Sequence, residues 1–152
     1  ILASMRRQHG VPLQSVRKAL RFVEKQLDIE RPLIRQVFLT DGKRLFITLN
    51  LAGKVAMLDT SNPAAPKLLN VLDLGPDSGP HYLALTKDEK RLVVSDYFLN
   101  EDDAGKVHAE GDHKIHVAKV SKNGLVLDSR FSVDFNTAIP GGPARPHGVA
   151  MR

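Results

Sequence analysis

The hydrophobic pattern of this chain changes its period once, near residue 34. Before that point apolar residues recur in steps of three and four, which is the spacing of one face of an amphipathic helix. They are Leu13, Val16, Leu20, Val23 and Leu27. Pro12 suits the first turn of such a helix, and Pro32 is expected to end the helical part. The pattern therefore predicts an α-helical segment over residues 1–33.

After residue 34 the pattern becomes strand-like, with short apolar runs between turn signals such as Asp41-Gly42. The candidate strands fall into two successive sets of four. They are 36–39, 44–49, 55–59 and 68–74 in the first set, and 82–85, 91–97, 114–120 and 125–134 in the second. An insertion at 98–111 separates the second and third strands of the second set.

The two sets of strands are similar in sequence, since residues 39–47 match residues 85–94 with one inserted residue. Repeats of four short antiparallel strands, roughly 40 to 50 residues each, are typical of β-propeller blades. We therefore predict a mainly β fold, a partial β-propeller of about two four-stranded antiparallel blades preceded by the α-helical N-terminal segment. The predicted domains are 1–33 and 34–152, with blades at 34–75 and 80–135 and the start of a next inner strand at 146–152.

A Pro-His step precedes an apolar stretch twice, at Pro80-His81 and at Pro146-His147. Imidazole is the commonest protein ligand for transition metals. Equivalent positions in successive blades would bring both imidazoles to one end of a shared channel. We therefore predict a metal or substrate site at His81 and His147, with His108 and His113 of the insertion as further candidate ligands. No residue is assigned a catalytic role from this pattern.

Other residues qualify this site. The first blade has Arg35 where a channel histidine would stand, so it lacks the Pro-His step. His116 alternates with apolar neighbours and is expected to face solvent on a middle strand. Carboxylates commonly orient ligating histidines, and Asp96, Glu110 and Asp112 are candidates for that role.

The net charge of +5 is concentrated at the N-terminus, where residues 1–47 carry ten Lys/Arg against four Asp/Glu. On the predicted helix the basic residues lie outside the apolar face, and they are Arg17, Lys18, Arg21 and Lys25. A basic helix face favours DNA phosphates as an alternative partner. The chain has no cysteine, which excludes disulfides, thiolate metal sites and a cysteine nucleophile and suits the cytoplasm. No apolar run is long enough to predict a membrane span.

Four stretches of the chain carry a resemblance to a known family, namely 79–86, 91–98, 107–114 and 134–148. Over residues 42–152 the chain resembles the selenium-binding protein and methanethiol oxidase family. The resemblance implies a β-propeller, of which this chain would hold about two blades of seven. It also implies copper bound by histidines and oxidation of a small thiol such as methanethiol. If the chain is active, it would be an oxidoreductase acting on a small sulfur compound.

The N-terminal part resembles a different family. Residues 5–20, 30–33 and 38–46 resemble DUF433, a family of small helix-turn-helix proteins associated with toxin–antitoxin systems. The two resemblances meet at 40–46, and our hypothesis is a helix-turn-helix fragment joined to a propeller fragment. Three functions stay open: copper-dependent thiol oxidation, antitoxin-like DNA binding, and a β-rich interaction module without catalysis. The open sheet edges of an incomplete propeller also predict self-association.

Overall fold

The first four strands pair in chain order to form one antiparallel sheet. In the computed structural model they are β1 Phe38–Thr40, β2 Arg44–Leu49, β3 Lys54–Asp59 and β4 Lys67–Asp73. The Asp41 side chain shapes the first turn, because its Oδ1 accepts the backbone N–H of Lys43 at 2.9 Å and that of Arg44 at 2.7 Å. A single 3-10 turn, Asn50–Ala52, links β2 to β3. Sequential pairing of this kind makes the first sheet a simple meander.

The second sheet repeats this arrangement around the insertion. Its strands are β5 Pro80–Leu85, β6 Arg91–Asp96, β9 Lys114–Ser121 and β10 Gly124–Asp134, and they pair in the order β5-β6-β9-β10. Between β6 and β9 the insertion forms a separate hairpin, β7 Asn100–Glu101 with β8 Val107–His108. The prediction of a mainly β fold built from two consecutive antiparallel sheets is therefore confirmed.

The structure describes residues 17–18, 21–22, 25, 38–62, 64–97, 100–101, 103–108 and 110–151. The described residues before 38 have helical backbone, but most of the predicted helical segment and Arg35 lie outside the described residues. Within the described ranges, no helix has the length and apolarity needed to cross a membrane. Residues 143–151 form no strand. A strand forms only beside a neighbouring strand to which it is hydrogen-bonded. The next inner strand at 146–152 therefore stays a prediction. The domain boundaries also stay predictions.

The two sheets pack face to face with their edges in the same order. The strands β1 and β2 lie against β5, and β4 lies against β10. An apolar core built from both sheets fills the space between them. It contains Phe46, Val55, Met57 and Leu72 from the first sheet and Leu83, Leu92, Val94, Ala118 and Leu125 from the second. Because apolar burial is the dominant favourable term in folding, this shared core holds the sheets together.

Two asparagine side chains add polar ties between the sheets. Asn50, 2% exposed, donates from Nδ2 to the backbone carbonyl of Pro80 at 3.3 Å and to that of Tyr97 at 3.4 Å. At the opposite edge, Asn70 Oδ1 accepts the backbone N–H of Leu125 at 2.9 Å. Hydrogen bonds are directional, whereas apolar contacts are not, so these ties define the relative position of the sheets. The Asn50 tie also holds the carbonyl within the Pro80-His81 step and the carbonyl of Tyr97.

Candidate functional site

The Pro80-His81 step lies at the start of β5, where the strand bulges. Pro80 pairs with Asp96, whereas Tyr82 pairs with Ser95, so His81 is one extra residue in the ladder between β5 and β6. Proline is tolerated at the first residue of a strand, because a missing N–H costs no central ladder bond there. A bulge re-aims the side chain it contains and is common beside functional sites. The local geometry therefore turns His81 out of the regular alternation of β5.

The two predicted histidines meet in the structure. The imidazole centroids of His81 and His147 lie 4.9 Å apart with an interplanar angle of 18°, so the rings are stacked. The ring of Tyr97 lies 5.6 Å from the His81 centroid and 4.5 Å from the His147 centroid. His147 is exposed, whereas His81 and Tyr97 are half-buried. We call these residues the three-ring site; it is open to solvent on the His147 side.

Tyr97 is the residue of this site that the sequence reasoning missed. Its backbone N–H donates to the carbonyl of Gly79 at 2.8 Å, which holds it opposite the residue that precedes the Pro-His step. The signal was present in the sequence. A hairpin predicted from 82–85 and 91–97 places its last residue beside its first, and an aromatic residue there is in reach of both histidines.

The remaining predicted ligands lie elsewhere. His113 is buried, and its Nδ1 lies 3.0 Å from Asn136 Oδ1. His108 on β8 has its Nδ1 3.7 Å from Glu110 Oε2. Among the residues that the structure describes, no group of three His, Asp or Glu ligand atoms within 4.8 Å of one another includes any of the four predicted histidines. The structure brings His81 and His147 together, and the ligand roles of His108 and His113 stay predictions.

One such group does exist, and it was not predicted. Asp96, Asp112 and His116 each offer a ligand atom within 4.8 Å of the others. Asp96 is only 1% exposed, and its Oδ2 accepts the hydroxyl of Ser78 at 2.8 Å and lies 2.7 Å from His116 Nε2. We call these three residues the Asp-Asp-His cluster.

The expectation that His116 faces solvent is wrong, since its side chain is buried. Strand alternation identifies the face on which a side chain lies but not what covers that face. Here it is the core face, because His116 lies opposite Val94 and two residues before Ala118, and both belong to the core between the sheets. Asp112 is held near His116 by a hydrogen bond from its backbone N–H to the carbonyl of Asp77, at 3.0 Å.

Burial raises the pKa of Asp112 to about 6, because the carboxylate loses hydration and because the Asp96 carboxylate faces it. Lys114 and His116 act in the opposite direction, with Lys114 Nζ 3.4 Å and His116 Nε2 3.8 Å from Asp112 Oδ2. Their charges do not offset the burial. The ionised form of Asp112 is therefore disfavoured in the folded protein.

Because the pKa of Asp112 is raised, we expect the wild-type protein to lose stability as the pH rises toward neutral. Asp112→Asn is expected to lack this loss. The unfolded carboxyl releases its proton near pH 3.8, whereas the folded one holds it to about pH 6. This contribution to stability is fully present below pH 3.8 and is lost as the pH rises through 6. We measure the free energy of unfolding in urea, with a chelator present. Between about pH 4 and about pH 8 we expect it to fall by about 1–2 kcal/mol more in wild type than in Asp112→Asn.

The matched control for this measurement is Asp73→Asn. Asp73 is exposed and ion-paired with Lys54 at 3.5 Å, so its removal is expected to leave the pH profile of wild type unchanged. Parallel profiles of wild type and Asp112→Asn would contradict the raised pKa.

A cavity of about 380 Å³ lies beside the Asp-Asp-His cluster. It is lined by Pro76, Asp77, Glu110, Gly111 and Asp112. Three of these residues carry carboxylates, so the cavity presents negative charge next to the buried cluster. Clefts lined by one sign of charge concentrate ions of the opposite sign. The cavity therefore provides a route by which a cation could reach Asp112.

Comparison with known proteins gives a fold but no family. No protein-family model matches this chain, and no curated protein matches it. A hypothetical selenium-binding protein from Sulfolobus tokodaii has a similar structure, with a TM-score of 0.59 and 24% sequence identity over 82% of this chain. The match covers 29% of that protein, so this chain spans less than a third of its length.

Two further structures are less similar. A functionally unknown protein from Desulfotomaculum acetoxidans DSM 771 gives a TM-score of 0.46 at 12% identity, over 66% of this chain and 26% of that one. A putative 6-phosphogluconolactonase from Bacteroides uniformis ATCC 8492 gives 0.31 at 18% identity, over 74% and 42% of the two chains. None of these comparisons supports the resemblance to DUF433. The chain thus shares the β-rich fold of part of the Sulfolobus tokodaii protein.

Proposed function

We propose that this chain forms two consecutive blades of a selenium-binding-protein-like β-propeller. The support is the packing of two four-stranded meanders with matching edges, which is how neighbouring blades stack around a channel. In that arrangement β1 and β5 are the inner strands. The start of β5, with His81, then lies at one end of the channel. The fold shared with part of the Sulfolobus tokodaii protein supports the same assignment.

The proposed function of the parent propeller is copper-dependent oxidation of a small thiol such as methanethiol, at the three-ring site. The observation that carries this proposal is the stacking of His81 on His147, 66 residues apart in sequence, with centroids 4.9 Å apart. Repeated Pro-His steps that converge in space are expected of a site built from successive blades. Stacked imidazoles beside a tyrosine at an opening also suit a small sulfur compound, because sulfur packs favourably against aromatic rings.

The three-ring site offers the type of ligand that copper prefers, but its two imidazoles are too few to complete a copper site. Imidazole nitrogen is a preferred copper ligand, and two imidazoles lie side by side here. Copper sites need at least one further donor, which the phenol of Tyr97 would supply. His81 and His147 would hold the metal, and the metal would supply electron transfer from the bound thiol.

The protein groups of the site have separable roles. Each metal-bound imidazole would carry its proton on the other ring nitrogen and could donate a hydrogen bond to the sulfur, while the thiol proton would leave to solvent on the open His147 side. The Tyr97 ring lies against both imidazoles and limits their rotation. Asn50 holds the carbonyls of Pro80 and Tyr97 and so orients the backbone of the site.

Thiol consumption by the copper-loaded protein tests the proposed function. We expect copper-dependent loss of methanethiol with uptake of oxygen, and a decrease of about tenfold or more in the double variant His81→Ala with His147→Ala. The control is His116→Gln, which removes an imidazole that belongs to the separate Asp-Asp-His cluster and is expected to keep the activity. A rate no higher than that of free copper, or an undiminished rate in the double variant, would refute the proposal.

A second function, DNA binding, is favoured by one observation. Arg17, Lys18, Arg21 and Lys25 all have helical backbone and exposed side chains. We propose that this basic face contacts DNA phosphates. Gel-shift affinity should then fall steeply with salt, and replacing Arg17 and Arg21 by Gln should reduce the salt slope by about two. No shift at low salt, or an unchanged slope in the variant, would argue against DNA.

A further inference from the structure

The Asp-Asp-His cluster is a second concentration of metal-ligating side chains, separate from the three-ring site. It joins three parts of the second sheet: Asp96 ends β6, His116 lies in β9, and Asp112 ends the insertion. Asp96 and His116 are buried side by side, and Asp112 has 13% of its side chain exposed toward the cavity. The three ligand atoms lie within 4.8 Å of one another.

Two oxygen atoms of this cluster are buried without a hydrogen-bond partner. They are Oδ1 of Asp96 and Oδ1 of Asp112. An unsatisfied carboxylate oxygen in the interior is costly, and proteins normally pair such oxygens or use them to coordinate metals. Asp96 is almost fully buried, so solvent does not satisfy its oxygen. The open lone pairs are therefore an observation that points to a ligand, independent of the grouping itself.

The charge balance of the cluster also points to a cation. Two carboxylates face each other, and among the described residues the ion pairs of Asp96 are limited to His116. Lys114 Nζ lies 3.4 Å from Asp112 Oδ2 and supplies one positive charge for the two carboxylates. The adjacent cavity adds the carboxylates of Asp77 and Glu110. A divalent cation between the carboxylates would remove their mutual repulsion and occupy their open lone pairs.

We propose that Asp96, Asp112 and His116 bind a divalent transition-metal ion of the zinc type. Imidazole nitrogen and carboxylate oxygen are both zinc ligands, and three protein ligands leave the fourth position to a water from the cavity. Zinc–ligand bonds of about 2.0–2.1 Å place neighbouring ligand atoms roughly 3.4 Å apart. The ion would therefore separate His116 Nε2 from Asp96 Oδ2, now 2.7 Å apart, and bring it closer to Asp112 Oδ2, now at 3.8 Å. The ion ties the end of the insertion to the two central strands of the second sheet.

Zinc titration of the full chain, stripped of metal with a chelator, tests this proposal. Calorimetry should show tight binding of about one zinc ion at this site, with about tenfold or greater weakening in Asp112→Asn and in His116→Gln. Zinc should also raise the melting temperature of wild type and leave that of Asp112→Asn unchanged. Asp112→Asn keeps the size of the side chain and removes a disfavoured charge, so it is expected to fold.

Two controls separate this site from its neighbours. Asp73→Asn removes an exposed carboxylate on β4 of the first sheet, outside the cluster and its cavity, and is expected to retain the zinc affinity. The double variant His81→Ala with His147→Ala is also expected to retain the zinc ion that Asp112→Asn loses, so the result is independent of the copper proposal. Absence of stoichiometric zinc binding in wild type, unchanged affinity in Asp112→Asn, or loss of zinc in the double variant alone would overturn the proposal.

Discussion

Replacing Phe46 with alanine is expected to lower the free energy of unfolding by about 3–5 kcal/mol. Phe46 has no exposed surface and lies in the core between the two sheets, where it belongs to one apolar cluster with residues of both. Its removal loses the transfer free energy of the ring and leaves a cavity that two sheets tied at both edges cannot fully close. Since domains have a total stability of about 5–15 kcal/mol, this loss would be a large part of it.

The control for this prediction is Phe131→Ala. Phe131 has the same side chain on β10 but is 46% exposed, so we expect its replacement to cost less than about 1 kcal/mol. Urea unfolding of both variants, followed by circular dichroism, gives the comparison. Equal losses would contradict a shared core between the sheets.

Gly124→Ala is expected to cost about 3 kcal/mol, by a different mechanism. A Cβ atom at this position would lie 2.6 Å from Asn70 Cβ in the facing sheet, closer than real side chains approach. The backbone φ of +143° adds strain for any residue with a side chain. The clash would also displace the Asn70 amide from the N–H of Leu125, and so weaken the tie at the outer edge of the sheets.

A matched glycine isolates the steric part of this effect. Gly141 also has positive φ, at +103°, but a Cβ there would meet nothing within 4 Å. Gly141→Ala is therefore expected to cost only the backbone strain, about 1 kcal/mol. Similar values for the two variants in chemical unfolding would show that the sheets do not approach each other closely at Gly124.

The strands of this protein were largely predictable because their apolar and polar residues follow short runs between strong turn signals. The strand predicted at 44–49 is β2 as observed, and 91–97 differs from β6 by one residue. The insertion predicted at 98–111 contains the β7–β8 hairpin. The pairing of the two Pro-His steps was also predictable in outline, because a repeat places equivalent residues at equivalent heights.

The parts of the candidate sites that escaped prediction depend on tertiary contacts. The bulge at His81 is a difference of one residue in strand register, which the apolar pattern of β5 does not record. The burial of His116 depends on which face of β9 meets the first sheet, and apolar neighbours on both faces leave that choice open in the sequence. The Asp-Asp-His cluster combines residues 96, 112 and 116, whose proximity follows from the pairing of β6 with β9 across the hairpin.

The convergence of His81 and His147 on one metal is the central claim, and pulsed EPR of the Cu²⁺-loaded chain tests it most directly. With one copper per chain, we predict coupling to two histidine imidazoles, whose rings lie 4.9 Å apart and would turn their nitrogens toward the bound ion. Each single variant, His81→Ala or His147→Ala, should lose one coupled imidazole, and the double variant should lose the centre. His116→Gln, which alters the separate Asp-Asp-His cluster, should leave the spectrum unchanged. A spectrum that is the same in wild type and in the double variant would contradict the claim.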